Sequence, residues 1–228
     1  MKKFFIAIIV LLIQAQLFSQ EFRTYTWENG KTKAEGRLVQ GGIEEGEWKY
    51  YSQEGALIQK VNYKFGVIHG AYEHYFENGK LSEKGSFDNA TRDGIFETYY
   101  ENGRLNMKGY YSRGYKDSIW VNYFENGQKK WEGTYKTDVR INSWDFWYDN
   151  GQLKKSVNYN EGERIQQFYS SKGKHLVIDG NGSWSEYFEN SSIEAKGTYK
   201  NGKKDGEWLR YHSNGKVKTQ EFYENGSF

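Results

Sequence analysis

A turn glycine returns along this chain at a nearly constant interval, usually as Asn-Gly, and that spacing constrains the fold more than any other feature. It stands at Gly30, Gly55, Gly79, Gly103, Gly127, Gly151 and Gly173, separated by 25, 24, 24, 24, 24 and 22 residues. Ser191 takes its place after a shortened unit of 18, and Gly215 follows after another 24. Seven residues before these positions stand Trp48, Tyr72, Phe96, Trp120, Trp144, Trp184 and Trp208, with Gln166 as the exception. Eight residues after them stand Tyr63, Phe87, Tyr111, Tyr135, Tyr159, Tyr199 and Tyr223, with Leu38 and Asn181 breaking the set. Composition alone does not keep three registers in step in this way. A repeat of roughly 20–50 residues is the mark of a solenoid or an array.

Within a unit the side chains alternate with a period of two and show no helical period. In the stretch from Gly206 to Gly226, Trp208, Arg210 and His212 fall on one side of a strand and Leu209 and Tyr211 on the other. Asn214-Gly215 then predicts a type I′ hairpin corner, in which both residues take positive φ. The return strand carries Val217, Thr219, Glu221 and Tyr223 on one face. Six residues after the turn the chain repeats a glycine, at Gly36, Gly85, Gly109, Gly133 and Gly197. Glycine weakens a strand interior, so its return predicts an aromatic ring lying over bare backbone. A second turn closes the unit, as in "NATRDGIF" at Asn89–Phe96 and "NGKKDGEW" at Asn201–Trp208. A lone hairpin is marginal in water, so the units must pair edge to edge. The expected fold class is therefore all-β: an elongated array of antiparallel β-hairpin repeats forming a single twisted meander sheet of about 17 strands. It occupies residues 21–228 as eight units and a truncated ninth, with an irregular stretch over 163–183.

The recurring pattern is legible at "SIWVNYFENGQKKWEGTY" from Ser118 and at "GEWLRYHSNGKVKTQEFY" from Gly206. It resembles the bacterial variant of the MORN repeat (membrane occupation and recognition nexus), over nearly all of residues 23–226. The resemblance implies a β-hairpin array with a binding role. Proteins of this variant are often labelled antitoxins of toxin–antitoxin systems, and ordinary MORN proteins are linked to membrane attachment and scaffolding. The resemblance brings no catalytic residues with it.

The N-terminus is a separate object. Lys2 and Lys3 precede ten apolar residues from Phe4 to Ile13, and "QAQLFSQ" follows. That is the order of a secretory signal peptide, and the apolar run is short for a membrane-spanning helix, which needs about 20 residues. The expectation is a signal peptide over 1–20, cut near Ser19 or Gln20, and a mature chain exported to a periplasm or secreted. The chain has no cysteine, which removes disulfides, thiolate metal sites and cysteine nucleophiles together. The whole chain has 32 basic and 30 acidic side chains, so without Lys2 and Lys3 it is formally neutral. Neutrality argues against nucleic acid as a partner and leaves membrane association weak or peripheral.

No pattern for a reactive site stands out. The four histidines have no metal-ligand spacing, and neither a phosphate-binding glycine loop nor a nucleophile elbow occurs. Asp93, Asp117 and Asp205 hold one turn register in different units, and Glu77, Glu101, Glu125 and Glu189 hold another. An acid repeated at one register makes a ladder, whereas catalysis by paired carboxylates needs a unique pair. The expected catalytic, cofactor-binding and metal sets are therefore empty. Aromatic rings remain. Trp48, Trp120, Trp144 and Trp208 are expected mainly as core, where rings packed between hairpins supply buried area. Out-of-register rings are better ligand candidates: Trp131 replaces the Glu or Met of other units, Trp147 replaces the usual Tyr, and Tyr115 sits in a turn. The expected binding surface combines Trp131, Trp144 and Trp147 with Tyr115. The chain thus reads as an exported, non-enzymatic scaffold binding another protein along a sheet face, antitoxin-like by the resemblance. The alternative is a module that binds cell-wall glycan through exposed aromatics.

Overall fold

The computed structural model describes residues 20–228, and the expected leader over 1–20 lies outside them except for Gln20. The described residues form nineteen strands and no helix. They fall into two compact units that divide between Tyr115 and Lys116. The first unit holds β1 (Glu21–Thr26), β2 (Thr32–Val39), β3 (Ile43–Tyr51), β4 (Leu57–Lys64), β5 (Val67–Tyr75), β6 (Leu81–Asp88), β7 (Thr91–Arg92), β8 (Gly94–Tyr99) and β9 (Leu105–Ser112). Each strand pairs antiparallel with the next in the order β1-β2-β3-β4-β5-β6-β8-β9, and the two-residue β7 pairs with β6.

The second unit opens within β10 (Tyr115–Tyr123) and continues through β11 (Lys129–Lys136), β12 (Val139–Trp147), β13 (Leu153–Asn158), β14 (Arg164–Tyr169) and β15 (His175–Val177). These pair in sequence order. A separate four-stranded sheet follows, made of β16 (Gly182–Tyr187), β17 (Ile193–Lys200), β18 (Lys203–Tyr211) and β19 (Val217–Tyr223). The antiparallel meander of hairpins is therefore present, but the expectation of a single sheet needs correcting: the ladder stops between β15 and β16. The cause lies in the irregular stretch. Its shortened units leave β15 only three residues long, and past it only Ile178 and Asn181 bridge. That is too little backbone to carry the ladder into β16.

Both corners of the repeat are tight, and the first differs from the sequence expectation. At the first corner Gly79 N–H donates to Phe76 O at 2.9 Å, and Phe76 N–H donates to Lys80 O at 2.8 Å. The loop is three residues, Glu77-Asn78-Gly79, and of these only Gly79 has positive φ. This is a type I turn closed by a left-handed glycine and a bulge, not the predicted type I′. The asparagine instead holds the corner through its side chain, as Asn78 Oδ1 accepts Lys80 N–H at 3.0 Å. Asn29, Asn102, Asn126, Asn150, Asn190 and Asn214 do the same. The paired positive-φ residues lie in the second corner, at Phe65-Gly66, Asn89-Ala90, Thr137-Asp138 and Asn201-Gly202.

Packing follows from a bulge repeated between hairpins. Glu132 faces Asp145 and Thr134 faces Ile141, so Gly133 alone stands opposite Asn142, Ser143 and Trp144. The extra residues carry the indole of Trp144 back over Gly133, where an added Cβ would lie only 2.0 Å from a ring carbon. Gly36 under Trp48 and Gly197 under Trp208 repeat this arrangement, as the recurring glycine predicts. The bulge also frees a carbonyl, and the indole satisfies it: Trp48, Trp144 and Trp208 donate to the oxygens of Arg37, Thr134 and Thr198 at 3.1, 3.2 and 3.2 Å. Where the register carries valine, Val61 and Val157, the ring eleven residues on is the smaller Tyr72 or Phe168. At four of the rings a cation four residues earlier covers the face: Arg92 over Phe96, Lys116 over Trp120, Arg140 over Trp144 and Lys204 over Trp208, at 4.9, 4.7, 4.6 and 4.5 Å from the centroids. At about 25 cal/mol per Å² and about 150–250 Å² per ring, each aromatic contributes about 4–6 kcal/mol of gross burial. In the first unit these rings form a core of Ala34, Leu38, Trp48, Val61 and Tyr72. In the second, Val157, Ile165, Phe168 and Val177 meet Trp184, Ala195 and Trp208 of the four-stranded sheet.

Candidate functional site

The recurring charged side chains serve the fold. Asp93 Oδ1 accepts Arg113 N–H at 3.0 Å and Asp205 Oδ1 accepts Asn225 N–H at 3.3 Å. Glu45 does the same for Phe65 at 2.8 Å. Each acid thus caps the second corner of the next hairpin. Asp117 instead pairs with Lys136 at 3.1 Å. The histidines are apart from one another: His69 lies 3.3 Å from Asp88, His74 packs edge-on to Tyr72, and His175 stacks on Tyr169. Among the described residues no group of three or more His, Asp or Glu is arranged to hold a metal ion. Nor is any helix there long and apolar enough to cross a membrane.

The feature that departs from the repeat is a groove of about 580 Å³ in the second unit. Trp131 on β11 stands directly opposite Phe146 on β12 and stacks on Trp144 with ring centroids 5.3 Å apart. Trp144 itself is fully buried, walled edge-on by Tyr135 at 4.8 Å and Tyr159 at 6.0 Å. The expectation that Trp144 forms part of a binding surface is therefore corrected: the bulge draws it under the sheet face, and it supports Trp131 from beneath. Trp147 also borders the groove. Strand alternation sends Trp144 and Phe146 to one face of β12 and Trp147 to the other, where Lys129 Nζ lies 5.5 Å over its ring. Trp131 and Trp147 therefore do not form a shared flat platform. Tyr115 closes the first unit as the first residue of β10, 51% exposed, and is not among the groove residues.

The groove contains residues the sequence did not single out: Phe124, Phe146 and Tyr148, with Lys130, Lys154 and Lys155. Lys155 Nζ lies 4.8 Å over Phe146, Lys130 Nζ 5.5 Å over Phe124 and Lys154 Nζ 5.4 Å over Tyr148. Lys154 is neutralised by Glu186 at 3.2 Å. Lys155 has no ion-pair partner among the described residues, and burial pushes its pKa below the usual lysine range. Asp149 is the one acid lining the groove. One signal was available: Lys155 stands four residues after a turn glycine, at the register of Ala34, Gln59, Glu83, Met107 and Trp131. The arrangement sets cations against aromatic faces, a setting suited to an anion.

The pattern described as the MORN repeat variant matches residues 44–65, 68–89, 92–113, 144–161, 181–201 and 204–226, more than half of the chain. Trp131 lies in the gap between the third and fourth matches. No curated protein matches the chain. Among solved structures, the crystal structure of TcdB2-TccC3-Cdc42 aligns with 90% of this chain and 14% of that one, at 10% identity and a TM-score of 0.19. An overlap that low transfers neither fold nor function. The repeat matches, the hairpin ladder and the stacked corners agree with one another, and the chain belongs to the MORN repeat variant family.

Proposed function

We propose that the chain is an exported, non-enzymatic scaffold that binds another protein along the face of its repeat sheet. MORN repeats are binding modules, and the observation that supports this use is the cross-strand row of the first unit. Lys60, Glu73, Lys84, Glu97 and Lys108 face one another in turn across β4, β5, β6, β8 and β9. This row offers a partner alternating charge on a repeated surface. An antitoxin-like role, with a toxin as that partner, is one form of the reading. The test is capture from an envelope fraction followed by titration of the purified partner against the full chain and a Lys60→Glu/Lys84→Glu/Lys108→Glu variant. Saturable binding by the full chain and loss of it in the variant is expected; equal binding by both removes the row from the interface. Export is checked by N-terminal sequencing of the recovered protein, where an intact Met1 overturns cleavage. Cell-wall glycan binding is the second reading, and the groove at Trp131 favours it.

A further inference from the structure

The groove combines aromatic faces with cations and lies on backbone that is already paired. β11 is bonded to β10 and β12, β12 to β11 and β13, and β13 to β12 and β14. An extended peptide therefore has no free edge to join there by strand addition. A ligand must be recognised by ring faces and charged side chains. Trp131 has one face against Trp144 and borders the groove, with Phe124, Phe146 and Tyr148 around it. An indole face suits the flat C–H face of a sugar ring.

The charges narrow the choice further. Lys130 and Lys155 line the groove without an ion-pair partner among the described residues, whereas Lys154 is held by Glu186. Asp149 is the only acid in the lining, and Glu163 and Glu186 are the acids that act on Lys155. A half-buried ammonium over a ring, with no carboxylate in contact, lacks a counter-charge that a ligand could bring. The same register carries Gln59 and Met107 in other units, so neither Lys155 nor Trp131 is demanded by the hairpin.

We propose that Phe124, Trp131, Phe146, Tyr148, Lys130 and Lys155 form a site for a carboxylate-bearing sugar, the uronic-acid unit of an acidic glycan. The sugar ring stacks on Trp131 and its carboxylate meets Lys155 and Lys130. This deepens the glycan reading and is independent of a protein bound to the charged row. The test uses the full chain, tryptophan fluorescence and calorimetry, with oligogalacturonate as the probe. Controls are a neutral gluco-oligosaccharide of equal length, poly-glutamate and a thymidine oligonucleotide. Saturable binding of oligogalacturonate is expected, weakened by salt, and reduced about tenfold or more by Lys155→Gln through loss of a charge-assisted contact. Trp131→Met is expected to abolish the fluorescence change. Both variants place a residue that another unit carries at this register, and unchanged circular-dichroism melts would show that the fold persists. Equal binding of the neutral oligosaccharide overturns the carboxylate site while sparing the glycan reading. Absence of all sugar binding overturns both. Preferred binding of poly-glutamate or of the oligonucleotide overturns the sugar as ligand.

Discussion

The two compact units are built from one repeat yet solve two problems differently. In the first, the units keep a spacing of 24 or 25 residues, and the face opposite the aromatic core carries the alternating row from Lys60 to Lys108. Tyr75 and Tyr99 hydroxyls donate to Glu73 and Glu97, and Lys60 and Lys84 reach those same carboxylates at 3.2 and 2.8 Å. In the second, the equivalent row reads Val121, Glu132, Asp145, Ser156 and Gln167. Two acids stand directly opposite, relieved by Lys129 on Glu132 at 2.5 Å and by the Ser156 hydroxyl on Asp145. The second unit also breaks its ladder and closes a core between two sheets, where the first keeps one ladder. Regular spacing thus yields a repeated charged surface. Lost spacing yields a core closed between two sheets, whereas the groove comes from side chains substituted within regularly spaced units.

The sharpest break of this comparison is removal of the central rings. Trp144→Ala and Trp48→Ala should each cost about 3–5 kcal/mol, read from denaturant unfolding. A loss under about 1 kcal/mol would mean that the ring is not core. Next comes one corner position with two surroundings. Gly202 and Gly66 have φ of 76° and 77°, so alanine is strained at both. At Gly202 the new Cβ meets the Ile165 carbonyl oxygen at 2.8 Å, whereas at Gly66 it meets the Cγ2 methyl of the Ile43 side chain at 3.1 Å. Gly202→Ala should cost about 2–3 kcal/mol and Gly66→Ala about 1 kcal/mol. Equal costs would remove the backbone packing between the sheets of the second unit.

The charged rows give a smaller, pH-dependent contrast. The Tyr75 hydroxyl and then Lys60 hold the Glu73 pKa below the usual glutamate range. At Glu97 burial acts upward, but Lys84 and Tyr99 outweigh it and the pKa is again lowered. A lowered carboxylate stabilises the fold above its unfolded pKa, about 4.3, and loses that contribution as pH falls through its folded value. Both groups are partly exposed, so Glu97→Gln should cost at most about 1 kcal/mol at pH 7 and nothing once pH has fallen below the lowered folded pKa. Glu132→Gln, which relieves a like-charge pair, should be neutral or slightly stabilising at pH 7. Unfolding curves at both pH values decide this, and an equal loss from the two variants would erase the distinction between rows. Of similar size is Lys155→Met, expected to gain up to about 1 kcal/mol by removing a desolvated charge. A clear loss in thermal stability would show that Lys155 is held by the fold.

Much of the architecture was legible because it is written in local spacing. The glycine at Gly36, Gly133 and Gly197 announces a ring on the next strand, and that ring is there. The turn letters were harder. Glu-Asn-Gly ends at Gly127 and again at Gly226, yet Asn126 stays out of the left-handed region while Asn225 has φ of 52°. Three loop residues at the first corner and two at the second select different turns from the same letters. At the groove, Trp131 was visible as a break in register. Lys155 shares that register, but Phe146 and Tyr148 were not visible, because which residue of β12 faces Trp131 depends on the cross-strand register.

By itself the sequence determined the hairpin period, the order of strands, the identity of the core rings and the absence of cysteine chemistry. Each is a matter of composition or of spacing within about one repeat. Only the tertiary structure decided that Trp144 is sealed beneath Trp131, that Trp147 turns to the other face, that three lysines gather over rings, and that the ladder stops after β15. Those outcomes depend on how bulges shift register from strand to strand, and a shift of one residue moves a side chain to the opposite face.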